Sequence, residues 1–232
     1  MDIDLNADLG EGAGFDAALM PLVTSANVCC GAHAGDPVIL RATLELAAKH
    51  GVAVGAHPGY PDRENFGRVD LPLSPADIRT HCQYQVGGLE AVARIVPVAV
   101  RYLKPHGALY NRACREEKIA GAVAAVAFTT GLAVVGLPGS ALEAAADRLH
   151  LPFVPEGYAD RKYRPDGSLV PRGEPGAFVH DPQEAVEQVE WLVREKGVRT
   201  VCVHGDNPDA VAFASAVRAA LLSRGATLKP FA

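Results

Sequence analysis

Four histidines of this chain follow short apolar segments that are rich in β-branched residues: His33, His57, His106 and His204. Three of them are followed at once by glycine or proline, so the backbone turns there and the imidazole stays at the rim of the fold. Imidazole changes its charge near neutral pH, which suits it to proton transfer and to metal binding. Four histidines in such positions, on four separate segments, indicate one shared site.

The segment KPHGALYN, residues 104–111, places an ammonium group beside one of these imidazoles. A lysine at the end of a strand can simply extend to solvent. With Pro105 and His106 fixing the turn, we instead expect Lys104 to neutralise an anion or orient a carbonyl.

In DLNADLGEG, Asn6 and Asp8 share one strand face by the two-residue period, and the glycines that follow allow close approach to a ligand.

Further polar residues follow the same apolar segments and complete the set of candidates. Carboxylate and imidazole pairs can act as general bases, and amides or cations can hold anionic oxygens. The candidates for catalysis are Asp8, His57, Lys104, His106, His204 and Asp206. The candidates for substrate binding are Asn6, Glu11, Asn27, His33, Tyr60, Glu156 and Arg161.

Two other chemistries are open to these residues. A metal centre is the stronger of the two alternatives. The sequence has no H-x-x-x-H or H-x-E pair that would make this assignment specific, so whether a metal binds stays open. Its mixed nitrogen and oxygen ligands would come from His33, Asp36, His57, His106, His204 and Asp206. A thiolate nucleophile made of Cys30 and His33 is disfavoured because cysteine is usually a buried packing residue.

Seven short segments must position these side chains. They are MDIDLNADLG, VTSANVCCGAH, GVAVGAHPG, VAVRYLKPHG, GLAVVGLPG, LPFVPEGY and VRTVCVHGD. Because they are nearly all apolar instead of alternating, we interpret them as parallel strands covered on both faces. Capping residues predict helices between them, which begin at Asp36-Pro37, Ser74-Pro75, Ser140, Asp181-Pro182 and Asn207-Pro208.

The positions of the polar residues decide between an open sheet and a barrel. In an open sheet they concentrate after one or two strands, whereas in a barrel almost all strands end at one mouth. Here six of the seven segments end in ionisable groups, which predicts a single-domain, distorted (β/α)7 barrel over residues 1–232. Residues 159–181 lack periodicity and contain the turn signal RPDGS, so we expect a hairpin excursion over the mouth.

Composition excludes several classes of protein. The 232 residues carry a net charge of −5 without a basic run, so we expect no nucleic-acid partner. No apolar stretch is long enough to span a membrane, and the acidic N-terminus is unlike a signal peptide, so we expect a cytoplasmic protein. Five cysteines without a C-x-x-C pair predict neither a disulfide framework nor a zinc ribbon. The sequence also has no G-x-x-x-x-G-K-[ST] phosphate loop.

A set of motifs spread over essentially the whole chain resembles the LamB/YcsF family. They are DLNADLGEG, SANVCCGAHAGDP, GVAVGAHPGYPD followed by FGR, LKPHGALYN, EGYADRKY, DGSLVPR, PGAFVHDP and VCVHGD. The resemblance implies a distorted (β/α)7 barrel of the glycoside hydrolase and deacetylase type. It also implies a cytoplasmic component of an ATP-dependent 5-oxoprolinase that works with two partners, subunits B and C. The implied reaction cleaves 5-oxo-L-proline to L-glutamate, coupled to hydrolysis of ATP to ADP and phosphate, with Mg²⁺ accompanying the ATP.

For that reaction the residues take hypothetical roles. Asp206 or Asp8, paired with His204 or His57, acts as general base. Lys104 and Arg161 hold anionic oxygens, and His106 and Asn6 donate hydrogen bonds. Without a phosphate loop, ATP can bind in this barrel, in a partner or between them. Two alternatives stay open: a metal-dependent amidase or deacetylase acting on a carbohydrate or small amide, and a non-catalytic substrate-binding subunit.

Overall fold

The computed structural model describes residues 1–165, 167–204 and 209–232. Its strands are β1 (Asp2–Leu9), β2 (Ser25–Cys29), β3 (Ala53–His57), β4 (Val100–Leu103), β5 (Ala133–Gly136), β6 (Phe153–Tyr158), β7 (Thr200–Val203) and β8 (Thr227–Leu228). Its helices are α1 (Asp16–Leu19), α2 (Pro37–His50), α3 (Pro75–Ala93), α4 (Gly107–Arg115), α5 (Glu117–Thr130), α6 (Ala141–Arg148), α7 (Pro182–Lys196) and α8 (Ala210–Ser223), with a 3₁₀ turn at Met20–Leu22.

Strands β1 to β7 form a closed parallel barrel. Each pairs with its neighbour in chain order, and the ring closes because β1 pairs with both β2 and β7. The predicted distorted (β/α)7 barrel is therefore confirmed. The two-residue strand β8 was not predicted from the sequence, and it pairs with Asp2 and Ile3, below the point where β7 joins β1.

Four helices begin where the sequence signals place them. The side chain of Asp36 accepts hydrogen bonds from the backbone N–H groups of Val38 and Ile39 at the start of α2. Ser74, Ser140 and Asp181 cap α3, α6 and α7 in the same way. The predicted start at Asn207-Pro208 lies outside the described residues. In the part of the chain that the structure describes, no helix combines the length and the apolar character needed to cross a bilayer.

The two-residue period of the strands separates an apolar outer layer from a polar interior. In β1, Ile3, Leu5, Ala7 and Leu9 belong to the hydrophobic core under the helices. The residues between them, Asp4, Asn6 and Asp8, are also buried, yet they bond to side chains of other strands inside the ring. The barrel therefore encloses polar groups that must satisfy one another.

An apolar cluster lies towards the amino-terminal end of the barrel. Tyr102, Val135 and Val154 form a cluster there, and Phe231 packs against it with its ring centroid 4.8 Å from that of Tyr102. The Tyr102 ring lies so close to Gly55 of β3 that a Cβ atom on Gly55 would sit 2.0 Å from it. A glycine at that position of the strand leaves space for the ring.

The segment 159–181 folds over the opposite end of the barrel. Isolated antiparallel bridges join Arg161 to Phe178 and Tyr163 to Leu169, and beside the inner pair the backbone N–H of Arg164 donates to the carbonyl oxygen of Ser168. This segment brings Arg161, Leu169 and Arg172 to the mouth.

Candidate active site

A buried lysine lies at the centre of the barrel mouth. Lys104 follows β4 on the inward side, and its ammonium nitrogen lies 2.7 Å from Oε1 of Glu156 and 3.1 Å from Oδ1 of Asp8. Burial alone would lower the pKa of Lys104, but the carboxylates of Asp8 and Glu156 outweigh it and raise the pKa well above its ordinary value. Lys104 therefore carries a fixed positive charge.

Asp8 uses its two oxygen atoms differently. Oδ1 accepts hydrogen bonds from the Asn27 amide at 2.8 Å and from Lys104, while Oδ2 lies 3.4 Å from Nε2 of His57. Burial would raise the pKa of Asp8, but the interactions with His57 and Lys104 hold it well below its ordinary value. Asp8 is therefore an ionised carboxylate.

Two asparagines form the polar layer beneath Asp8. The Asn27 amide donates to Oδ1 of Asn6 at 2.6 Å, and the Asn6 amide donates to Thr200 at 2.6 Å and to Glu156 at 3.3 Å. The hydroxyl group of Tyr102 donates to Oδ1 of Asn27. Both amides thus bond within the barrel and hold the carboxylates above them in position.

His57 and His106 lie side by side at the mouth, at the ends of the neighbouring strands β3 and β4. Nδ1 of His57 lies 2.8 Å from the backbone carbonyl oxygen of Lys104, and Nε2 of His106 lies 2.9 Å from that of Phe66. The other ring nitrogens, Nε2 of His57 and Nδ1 of His106, are 3.0 Å apart. The pKa of His106 lies well below its ordinary value. Burial is the main cause, and the neighbouring His33 and His57 add to it.

His33 and Glu11 flank this pair. The His33 ring stacks on the His106 ring at a centroid distance of 3.8 Å, and its Nε2 lies 3.3 Å from Oε1 of Glu11. The same Glu11 oxygen is 3.3 Å from Nδ1 of His106. Burial lowers the pKa of His33 to about 3, so this ring is neutral.

His204 forms a second carboxylate pair at the rim. Its Nδ1 lies 2.7 Å from Oδ2 of Asp160, and its ring stacks on Tyr158 at 5.4 Å. Burial would raise the pKa of Asp160, but the His204 charge lowers it. A carboxylate that orients an imidazole in this way is the usual arrangement of a general base. The residue that sequence reasoning paired with His204, Asp206, lies outside the described residues.

The space between these groups is narrow and is bordered by arginines. A cavity of about 40 Å³, room for roughly one water molecule, is lined among others by Asp8, Lys104 and His204. Arg68, Arg161 and Arg172 stand at its rim. A groove of about 700 Å³ adjoins it and shares Arg172 and His204 with it. Sequence reasoning had identified Arg161 alone of the three arginines.

The structure brings most of the sequence candidates into one contact network, whose members are Asn6, Asp8, Glu11, Asn27, His33, His57, Lys104, His106 and Glu156. Arg161 and His204 line the cavity beside it. Tyr60 does not join them, because its ring packs in the hydrophobic core and its hydroxyl group accepts a hydrogen bond from Arg112.

The cysteines do not form the nucleophile considered from the sequence. The sulfur of Cys30 donates to the carbonyl oxygen of Val28, and it is Cys29 whose sulfur lies near His33, at 4.0 Å from Nδ1. Burial raises the pKa of Cys29 to about 12, so that thiol stays protonated. Sequence reasoning missed Cys202, 3.1 Å from the Lys104 nitrogen, although the two-residue period of β7 places it between Thr200 and His204 on the inward face.

Known proteins with similar sequences or folds span nearly the full chain. A 5-oxoprolinase A subunit from Neisseria meningitidis serogroup C (strain 053442) is 46% identical over 237 residues, which cover 96% of this chain and 97% of that protein. The solved structure of the lactam utilization protein from Thermus thermophilus is 40% identical, with a TM-score of 0.92 over 100% of both chains. The catalytic domain of a peptidoglycan N-acetylglucosamine deacetylase from Eubacterium rectale ATCC 33656, 14% identical with a TM-score of 0.53 over 99% of this chain and 88% of that one, shares the fold alone.

The family comparison agrees with these matches and with the motifs seen in the sequence. The model of the LamB/YcsF family matches residues 3–232, which include the barrel and all of the described site residues. The chain therefore belongs to the LamB/YcsF family.

Proposed function

We propose that this chain is the A subunit of an ATP-dependent 5-oxoprolinase, which opens 5-oxo-L-proline to L-glutamate while ATP is hydrolysed to ADP and phosphate. It would act in the cytoplasm with subunits B and C. The observation that carries the proposal is the near-complete match, at 46% identity, to a protein named as the A subunit of 5-oxoprolinase. The match to a protein named for lactam utilization agrees with a cyclic amide as substrate.

The charges at the mouth suit an anionic lactam. Arg161 is buried, its Nε has no hydrogen-bond partner among the described residues, and it lines the cavity together with Arg172. The substrate carboxylate would satisfy these guanidinium groups, which form paired hydrogen bonds with carboxylates. The ring would lie in the adjoining groove, because the inner cavity of about 40 Å³ has room for little more than water.

His204 is the best-placed general base. Asp160 orients its ring, and the residue borders both the narrow cavity and the wider groove. A water molecule in the cavity would lose its proton to His204 as it attacks the ring carbonyl carbon, while Lys104 keeps the floor of the cavity positive. The ring C–N bond would then break, with the proton passed from His204 to the departing nitrogen, and a second water would release the phosphoryl group as phosphate. Asp8, whose oxygens already face Asn27, Lys104 and His57, would hold this arrangement in place.

An unactivated five-membered lactam resists hydrolysis, and phosphorylation of its amide oxygen by ATP would make the ring carbon a better electrophile. This chain has no phosphate loop of the common type. We therefore propose that ATP binds with the help of the partner subunits, with Mg²⁺ accompanying its phosphates.

Reconstitution tests the proposal. The chain is mixed with subunits B and C, and L-glutamate formed from 5-oxoproline is measured with and without ATP and with each component omitted. We expect glutamate only when ATP and all three subunits are present. Glutamate formation without ATP would overturn the proposed coupling. Full activity of complexes that carry His204→Gln or Lys104→Met would instead assign the chemistry to a partner.

A further inference from the structure

The protons on His57 and His106 can be assigned from their partners. A backbone carbonyl oxygen only accepts hydrogen bonds, so Nδ1 of His57 donates to Lys104 and Nε2 of His106 donates to Phe66. A ring that carries only this one proton presents a lone pair on its other nitrogen. Those two nitrogens are 3.0 Å apart, and two lone pairs at that distance repel unless a cation lies between them.

A carboxylate oxygen approaches the same point. Oδ2 of Asp8 lies 3.4 Å from Nε2 of His57, whereas Oδ1 of Asp8 is occupied by Asn27 and Lys104. The three potential ligand atoms, one each from Asp8, His57 and His106, all lie within 4.8 Å of one another, and all three residues are buried. They come from the carboxyl ends of β1, β3 and β4, which the closed barrel holds side by side or one strand apart.

We propose that Asp8, His57 and His106 bind one divalent transition-metal ion. Two imidazoles and a carboxylate are ligands that zinc, cobalt and iron accept readily, whereas Mg²⁺ prefers oxygen. The backbone carbonyls that fix the two rings are the outer contacts typical of metal-bound histidines. Three protein ligands leave a coordination position for water or substrate, and the ion would supply Lewis acidity beside the cavity.

A second group of possible ligands, Glu11, His33 and His106, fits an ion less well. The rings of His33 and His106 are stacked, with an angle of 6° between their planes. A ring nitrogen binds a metal in the plane of its ring, so two parallel rings cannot direct lone pairs at one point. The rings of His57 and His106 stand at 89°, which allows their lone pairs to converge.

The rival explanation for the 3.0 Å contact between the two ring nitrogens is a proton shared by the two rings.

Binding of the proposed ion does not depend on the identity of the substrate, so the test measures metal binding in place of turnover. The purified chain is stripped with a chelator and titrated calorimetrically with Co²⁺ and Zn²⁺, with excess Mg²⁺ as competitor. We expect one Co²⁺ or Zn²⁺ per chain, no displacement by Mg²⁺, and X-ray absorption of the Co²⁺ form that shows two imidazole ligands.

Two variants locate the ion. His57→Gln should weaken Co²⁺ binding by at least about 100-fold, since losing a direct ligand costs no less than losing an outer contact. His33→Gln, the matched control, should bind Co²⁺ as the original chain does. The reverse pattern would move the ion to the Glu11 group and overturn the assignment. If the unaltered chain does not bind one metal ion per chain, the proposal is overturned and the shared proton becomes the explanation of the 3.0 Å contact. This measurement does not depend on the folding of any variant.

Discussion

The ammonium nitrogen of Lys104, at the end of β4, lies 2.7 Å from a carboxylate oxygen of Glu156 on β6, two strands further around the barrel, and both side chains are buried. Both charged groups lose their hydration when the chain folds, and this desolvation costs free energy. The attraction between them offsets that cost, so each charge is stable in the interior only while the other is present. The same lysine also neutralises Asp8. One cation thus supports two buried carboxylates from two other strands.

Removing this cation should destabilise the protein. Lys104→Met leaves Asp8 and Glu156 without their counter-ion, and breaking a buried pair costs about 3–5 kcal/mol. Urea denaturation at neutral pH measures the loss. Adding Glu156→Gln removes one of the stranded charges and should restore part of the stability. A double variant less stable than Lys104→Met would contradict this account.

The same substitution should also affect turnover. In the reconstituted complex we expect Lys104→Met to lower turnover about 100-fold or more, as loss of a group that stabilises developing negative charge does. Folded protein is quantified first, so that instability is not counted as inactivity. Lys49→Met, on the exposed end of α2, is the matched control and should leave turnover unchanged. A near-normal rate for Lys104→Met would remove the lysine from the mechanism.

Asp4, at the lower end of the barrel, should make stability fall as pH rises. Burial raises its pKa from 3.8 to about 6, so between those values the folded chain binds more protons than the unfolded chain. The stability difference between Asp4→Asn and the original chain should therefore shift in favour of the variant by about 2 kcal/mol from pH 4 to pH 7, at about 1.36 kcal/mol per pKa unit. Denaturation at several pH values measures this difference.

An exposed aspartate provides the control for Asp4. Lys229 lowers the pKa of Asp2, so the Asp2→Asn difference should change with pH in the opposite sense. Parallel pH curves for Asp4→Asn and the original chain would show that the folded protein does not hold the Asp4 proton more tightly.

Gly55 should not tolerate a side chain. The Cβ of Gly55→Ala would lie 2.0 Å from the Tyr102 ring, and the ring is held by Phe231 and by its bond to Asn27. We expect a loss of about 1–3 kcal/mol from overpacking, measured by thermal or urea denaturation. Gly88→Ala, within α3 and with no atom near the new Cβ, should instead stabilise the protein by about 0.5–1 kcal/mol.

Cys30 should be dispensable. Its sulfur bonds to the Val28 carbonyl oxygen, a contact that a serine hydroxyl group can also make. We expect Cys30→Ser to keep turnover within about twofold, as substitutions outside a special environment usually do. A loss as large as that of Lys104→Met would return Cys30 to the set of catalytic candidates.

The barrel and the centre of its site were accessible from the sequence for one physical reason. Parallel strands end on one side, so residues that lie at or directly after their ends, such as Asp8, His57 and Lys104, are brought together whatever their separation along the chain. The two-residue strand β8 was missed because two residues carry no periodicity.

Residues further from the strand ends were harder to place. Tyr60 lies three residues beyond β3, past the Pro58-Gly59 turn, and its ring enters the helix layer. Asp160 and Arg172 reach the mouth through segment 159–181, whose path depends on contacts such as the bridge between Arg161 and Phe178. No local pattern encodes such contacts, so the partner of His204 could not be derived from the sequence.

The apolar cluster of Tyr102, Val135 and Val154, against which Phe231 packs, has a kinetic consequence. Because this cluster occupies the far end of the described barrel, the proposed lactam substrate, the attacking water and the amino-acid product would all enter and leave through the mouth. Under the proposed function, product release would precede binding of the next substrate, and a partner subunit docked over the mouth would control both steps.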